Sequence, residues 1–301
     1  MIVVYGSINI DVIGHAPSLM RPGETVLGTT LEIAPGGKGA NQALAAARAG
    51  GEVRMIGCVG HDDFATQALA LLSESGMDLD FVRRMDRHTG TALIVVDDAG
   101  ENMITVLPGA NSRLSPAVLE RAGLKAGDWL LLQLETPLEG ILAAARYARR
   151  MGAKTILNLA PFMAFPPELL DEIDLLVVNE TELGGVLEML GAPVDDVRQG
   201  VGWLAERLGN IVVATLGGEG AISCADGKEV RVAAIAVTPV DTVGAGDTFV
   251  GYLAAGLAQG AALDTALRRA TVAAGLACLK PGAQPSIPER DEVEAHMAGM
   301  A

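Results

Sequence analysis

Short apolar runs at Val53–Val59, Asp128–Leu134, Lys154–Leu159, Leu175–Val178 and Ile211–Leu216 alternate with helix-patterned segments at Phe64–Ser75, Leu138–Met151, Glu180–Leu190 and Val197–Leu208. That rhythm leaves few folds open. Parallel strands need crossovers, and crossover helices must cover the faces of the sheet they join. The pattern therefore predicts an α/β fold: a doubly wound, mostly parallel sheet flanked by helices, with ligands at the C-terminal ends of its strands. Half of the residues are hydrophobic, 37 are glycine and only 3% are aromatic. An aliphatic core with many turns suits such a sheet. A chain of 301 residues can form it as one unit, and no linker divides it, so a single domain over 1–301 is expected.

Some strand-like segments arrive without helices between them. Ile2–Val4 reads as a buried strand continued through Gly6–Asp11, and Val26–Ala34 as a weakly alternating strand. Thr91–Asp97 and Met103–Leu107 read as a hairpin turning at Asp98-Ala99-Gly100. They suggest a small β-layer, a lid, inserted into the α/β body at 12–34 and 90–108. Asn9 and Asp11 share one strand face, where an amide and a carboxylate suit the hydroxyls of a polyol; a solvated face is the alternative.

Net charge is −15, which argues against nucleic acid and anionic membranes as partners. Cys58, Cys224 and Cys278 are scattered, with no metal-ligand spacing, and suit a reducing compartment. Met1–Tyr5 runs directly into a strand, and no apolar run reaches the ~18 residues of a membrane span. A cytoplasmic protein is expected.

Three glycine turns carry the chemistry. In Asp241-Thr242-Val243-Gly244-Ala245-Gly246-Asp247-Thr248-Phe249, a valine-rich run (Val230–Val240) reads as a strand leading in, and Thr248–Ala258 as a helix leading out. A strand–glycine turn–helix unit aims backbone N–H groups at an anion. Asp247 is there either as a helix N-cap or as a base for a hydroxyl attacking a phosphate. Pro35-Gly36-Gly37-Lys38-Gly39-Ala40-Asn41-Gln42-Ala43 runs into a helix at Leu44–Ala49 and fails the spacing of a Walker loop. Thr215-Leu216-Gly217-Gly218-Glu219-Gly220 can pack against a nucleotide. Polar residues gather at strand ends: Gln133 and Glu135, Asn158, then Asn179 and Glu182. The last two read equally as a capping box or as outer-shell organisers of Mg2+ and phosphate. Ala262–Leu279 reads as a further apolar helix, with Gly282–Ser286 as a closing loop.

In this order and separation the segments resemble the ribokinase-like (PfkB) carbohydrate kinase family. The matching stretches are Gly6–Asp11, Pro22–Val26, Gly36–Ala43, Gly109-Ala110-Asn111, Gln133–Glu139, Asn179–Glu182, Asp241–Asp247 and Gly282–Ser286. They cover nearly the whole chain.

The resemblance implies ATP-dependent phosphorylation of a sugar's primary hydroxyl, with ribose giving ribose 5-phosphate. It implies Asp247 as catalytic base, with Gly244, Ala245 and Gly246 as the anion hole. Asn9, Asp11, Gly37, Lys38, Asn41 and Glu135 would hold the sugar. Asn179 and Glu182 would organise Mg2+ and the ATP phosphates, and Thr215, Leu216, Gly217, Gly218, Glu219, Gly220 and Gly246 would line the nucleotide, with Thr271 flanking adenine. A monovalent cation, K+, would take ligands from Asp241, Val243, Ala277, Lys280, Gly282 and Ser286, several through carbonyls; Lys280 can offer only its carbonyl. The lid would pair two subunits into a homodimer. Phe162, Met163 and Phe165 depart from the loop the family leads one to expect. Other acceptors (fructose, 2-keto-3-deoxygluconate, a nucleoside) and a non-catalytic sugar- or nucleotide-binding regulator are the competing readings.

Overall fold

The structure is a computed structural model describing residues 1–194 and 196–300. Its strands are β1 (Ile2–Tyr5), β2 (Asn9–Ala16), β3 (Thr30–Gly36), β4 (Val53–Val59), β5 (Asp78–Arg84), β6 (Gly90–Asp97), β7 (Asn102–Leu107), β8 (Trp129–Leu132), β9 (Lys154–Asn158), β10 (Leu175–Asn179), β11 (Ile211–Thr215), β12 (Ala221–Ala225) and β13 (Lys228–Val232). The helices are α1 (Lys38–Arg48), α2 (Asp63–Ala68), α3 (Ala70–Glu74), α4 (Leu119–Ala122), α5 (Leu138–Met151), α6 (Glu180–Met189), α7 (Val197–Leu208), α8 (Ala245–Ala258), α9 (Leu263–Ala277), α10 (Ala283–Ser286) and α11 (Arg290–Met300).

The strands form two sheets. The larger runs β13-β12-β11-β10-β9-β8-β1-β4-β5, parallel from β5 to β11 and antiparallel at β12 and β13. Its residues alternate between two cores. Ile2, Val4, Leu131, Ile156 and Val177 face one, with α1, α8 and α9. Val3, Tyr5, Leu130, Leu132, Leu157 and Val178 face the other, with α5 and α7. Both faces are covered, which is why the strands read as continuous apolar runs. The chain leaves β1 towards β4 and β5, then returns to β8 on the other side. The order therefore reverses between β1 and β8, where ligand crevices form in such sheets.

The smaller sheet runs β3-β2-β6-β7, with β2 and β6 parallel and both outer strands antiparallel. The hairpin expected at Asp98–Gly100 joins β6 to β7, and the Gly100 N–H donates to the Asp97 carbonyl at 3.0 Å.

Several expectations are corrected. Asn9 and Asp11 do not prolong the first strand; the chain breaks at Gly6–Ile8 and Asn9 opens β2 in the other sheet. The break lets the Ser7 carbonyl accept the Ala40 N–H at 2.9 Å, so the chain turns there to meet the glycine loop. The expected Val26–Ala34 strand is instead Thr30–Gly36, and the helix expected from Leu44 starts at Lys38. The expected Phe64–Ser75 helix divides at Leu69. The Val230–Val240 run is not one strand: β13 ends at Val232. Beyond it the buried Ile235 packs on Gly275 of α9, and Pro239 has no N–H for a ladder. Strand β5 went unforeseen because its Asp78, Asp80, Arg83 and Arg84 are the polar residues of an edge strand.

No helix among the described residues is long and apolar enough to cross a membrane.

Candidate active site

The two glycine loops meet at the C-terminal ends of the central strands. Gly37 sits at φ 90, and a Cβ there would come within 2.7 Å of the Asn9 nitrogen, so the loop can lie against β2 only as glycine. Gly244, at φ 77, precedes α8, and a Cβ there would press on Ala283 at 2.8 Å. Helix α8 thus starts with its first turn facing the crevice. The Thr248 N–H makes the first intrahelical bond, to the Gly244 carbonyl at 2.8 Å. The N–H groups before it lack helical partners by construction; that of Ala245 reaches back to the Thr242 carbonyl at 3.3 Å. A Cβ at Gly246 would meet nothing within 4 Å, so that residue opens onto free space.

Asp247 is 7% exposed and held by two amides. Asn41 Nδ2 donates to its Oδ2 at 2.9 Å, and Gln42 Nε2 to its Oδ1 at 2.8 Å. Gln42 Nε2 also reaches Asn158 Oδ1 at 2.9 Å, while Gln133 Nε2 donates to Gln42 Oε1 at 2.7 Å. A buried relay therefore runs from the end of β8 through α1 to the carboxylate, with β9 bracing it. Asp247 does not cap α8: Gly244 holds that position, and the acid points away into the relay. The N-cap alternative is thereby removed.

Lys38, Asn179, Glu182, Thr215, Gly244, Gly246 and Asp247 line one cleft of about 130 Å3. Opposite charge from Asp247 is the main influence raising the Lys38 pKa, outweighing its burial, so the ammonium stays charged. Burial raises the pKa of Glu182. Asn179 and Glu182 form the capping box of α6: the Asn179 Oδ1 accepts the Glu182 N–H and the Glu182 Oε2 accepts the Asn179 N–H, both at 2.8 Å. Capping and cleft-lining coexist in these two residues.

On the small-sheet side, Asp11 is pushed up to about 6, by burial first and then by the charges of Glu135 and Asp247, with Lys38 opposing. Glu135 Oε2 accepts from the Ser7 hydroxyl at 2.5 Å and the Lys38 N–H at 3.0 Å. Asn9 Oδ1 accepts from Asn111 Nδ2 at 2.7 Å. Asn9, Asp11, Gly37, Lys38, Asn41 and Glu135 are thus gathered where β2, α1 and the end of β8 meet.

The remaining expected residues are more dispersed. Gly217–Glu219 form a short 3-10 turn after β11, closed by the Leu216 N–H on the Gly220 carbonyl at 2.8 Å. Only Thr215 of that segment lines the cleft; Thr271 is 5% exposed inside α9 and does not line it. Asp241 accepts N–H groups from Val243 (2.9 Å) and Gly282 (2.8 Å), tying the loop before α8 to the one before α10. The Lys280 ammonium turns out to Glu292 at 3.2 Å. Ala277 is buried, its carbonyl accepting the Lys280 N–H at 3.3 Å, and the buried Ser286 hydroxyl donates to the Ala283 carbonyl at 2.9 Å. Among the described residues no three His, Cys, Asp or Glu cluster as a metal site.

Sequence reasoning missed Gln42 as part of the site, and gave Gln133 and Asn158 no partner. A signal existed: Gln42 follows Asn41 and directly precedes the apolar run Ala43–Ala46, in a helix buried from Gly39 to Ala46. Asn111 and Ser7, which brace Asn9 and Glu135, stood within matching stretches but were given no role.

Residues 1–290 match the pfkB family carbohydrate kinase description. The ribokinase of Haemophilus influenzae is 37% identical over 294 residues, covering 97% of this chain and 96% of that protein. The crystal structure of Thermotoga maritima ribokinase superposes with a TM-score of 0.92 at 32% identity, covering 99% of both chains. That of Arabidopsis thaliana ribokinase complexed with ribose and ATP gives 0.87 at 32% identity, covering 98% of this chain and 97% of that one. With an anion-ready helix end and a braced carboxylate already in place, the match over the whole fold fixes the assignment: the chain belongs to the pfkB family of carbohydrate kinases.

Proposed function

We propose that the chain transfers the γ-phosphoryl group of ATP to the primary hydroxyl of a pentose, D-ribose giving ribose 5-phosphate. The carrying observation is Asp247, fixed by Asn41 and Gln42 at the first turn of α8 beside Lys38. Asn9, Asp11, Gly37, Lys38, Asn41 and Glu135 hold the sugar so that its hydroxyl meets Asp247. The carboxylate takes the hydroxyl proton as the oxygen attacks phosphorus, and the bond to the ADP oxygen breaks. The N–H groups of Gly244, Ala245 and Gly246, with the partial positive charge of the helix start, stabilise the charge on the transferred group. Thr215–Gly220 line the nucleotide.

Mg2+ bound with the nucleotide would neutralise phosphate charge. Asn179 and Glu182 suit it only through water, because each already serves the capping box and no all-protein cage stands near among the described residues. K+ would sit beside Asp241, with Val243, Ala277, Lys280, Gly282 and Ser286 as further ligands, several through carbonyls. Two acceptor sites of the Asp241 carboxylate are taken by N–H groups and roughly two remain. There the ion would steady the loop that ends in the anion hole.

The small sheet acts as the lid and as the dimer contact. Leu31, Ile33, Leu93, Met103 and Leu107 lie on one of its faces by register and are 40–67% exposed. An apolar face of that kind, with free edges at β3 and β7, calls for a covering partner, and a second copy of the chain supplies one. Three free cysteines suit work in the cytoplasm.

An acceptor panel with a coupled ADP assay tests the reading. ADP release with ribose is expected. A strong preference for a nucleoside would move the substrate elsewhere in the family, and melting shifts without ADP release would replace catalysis by binding alone.

A further inference from the structure

On the face of the sheet away from α1 and α8, a cavity of about 200 Å3 opens beside β5. Arg83 of β5, Arg113 at the end of the 3-10 turn Gly109–Arg113, and Arg121 of α4 line it with Ser115, over an apolar floor that includes Phe81 and Cys58. No carboxylate lines it. Among the described residues none of these three guanidinium groups makes an ion pair, a state they share with eight other arginines, and what sets them apart is that they line one cavity without a carboxylate. In a chain with 37 acidic and 22 basic residues, three unpaired arginines converging from separate segments run against the average field. Like charges brought together repel, and an anion between them reverses the sign.

The adjoining cavity shares Arg113 and adds Arg87 and Asp86. Asp86 is fully solvated and makes no ion pair with an arginine among the described residues. Burial pushes the Cys58 thiol up to about 11 while the Arg83 charge pulls the other way, so the floor is neutral and the guanidinium bears on it. Guanidinium forks match phosphate oxygens in pairs, which single ammonium groups do not. Size narrows the class further. At about 200 Å3 the cavity is smaller than the roughly 300–1,000 Å3 of sites for drug-sized ligands, which suits a compact ester.

We propose that this cavity binds a small phosphomonoester, with Arg83, Arg113 and Arg121 on the phosphate and Met85, Leu114 and Val118 against the organic body, since the Phe81 ring already carries the Arg54 guanidinium at 4.8 Å. It shares no lining residue with the catalytic cleft. Its link to the sugar end is short: the turn closed by Arg113 carries Asn111, whose amide holds Asn9 and whose oxygen accepts the Ile8 N–H at 3.0 Å.

Calorimetry tests the proposal with the catalytic cleft blocked by saturating Mg2+, ribose and a non-hydrolysable ATP analogue. Ribose 5-phosphate and inorganic phosphate are titrated separately. The ester is expected to bind the wild-type chain more tightly than phosphate. Arg83→Gln/Arg121→Gln should weaken both by at least about tenfold, with the melting temperature in phosphate-free buffer unchanged. Arg113→Lys, which keeps the charge and loses the fork, should fall between. Equal affinity in the double variant, or no binding to the blocked wild type, overturns the site. Tighter binding of inorganic phosphate than of the ester overturns the ester as its ligand.

Discussion

Asp247 is held by two neutral amide donors and stands close enough to the Lys38 charge to raise that residue's pKa. Asp247→Asn keeps the shape and removes the base. Turnover should fall by about 10²–10⁴-fold, while ribose affinity measured by calorimetry changes little. Gln42 holds the proposed base at 2.8 Å and does not line the cleft. Gln42→Leu is expected to lower kcat by roughly 10–100-fold with little change in KM, because a misaimed group loses orientation rather than binding. A merely structural role would move the melting temperature and leave that split unseen. Asp11 carries a pH prediction. Its carboxyl titrates near 6 in the fold against an ordinary value of 3.8. A raised acid destabilises the fold once ionised, an effect absent below 3.8 and complete above about 6. Asp11→Asn should therefore stabilise the chain at pH 8 by about 1–2 kcal/mol, less than the full shift because the group is partly solvated. That gain should vanish below about pH 4, as chemical denaturation at the two pH values would read. In the wild type, KM for ribose should rise as pH drops through about 6, when the acceptor gains a proton.

Helix α6 joins two duties in one pair of side chains. Glu182→Gln keeps an oxygen for the Asn179 N–H, so the melting temperature should hold, while the Mg2+ concentration needed for half-maximal rate should rise. Asn179→Ala removes the cap and should cost about 1 kcal/mol of stability. Regular elements were the legible part of this chain. Leu138–Met151 and Val197–Leu208 form helices over the very residues their periodicity marks, since both faces of each pattern answer to one buried stripe. Elements whose fate depends on distant partners were not legible. The Val230–Val240 run leaves the sheet because Ile235 has α9 to pack on, and Asn9 opens a new strand because Gly37 fits against it. The site followed the same division. Asp247 and the glycines announce themselves locally, whereas the Gln133–Gln42–Asn158 relay joins residues 91 and 116 positions apart, and only folding introduces them.

Assembly is the remaining question for the molecule. Met103→Glu, placed on the exposed apolar face of the small sheet, should convert a dimer into a monomer in sedimentation velocity without disturbing the larger sheet. An unchanged sedimentation coefficient would locate the contact elsewhere. The small sheet also has no independent foundation. Strand β2 begins at Asn9 and β3 ends at Gly36, at and beside the residues proposed to hold the sugar. The pivot of the sheet is thus the proposed binding site. With the sheet as the proposed lid, any swing drags Asn9 and Gly37 with it, so grip on the sugar and closure over it would be one mechanical event. A chain evolving a new acceptor cannot retune one without resetting the other, and exchange of this sheet between relatives should carry acceptor preference along with it.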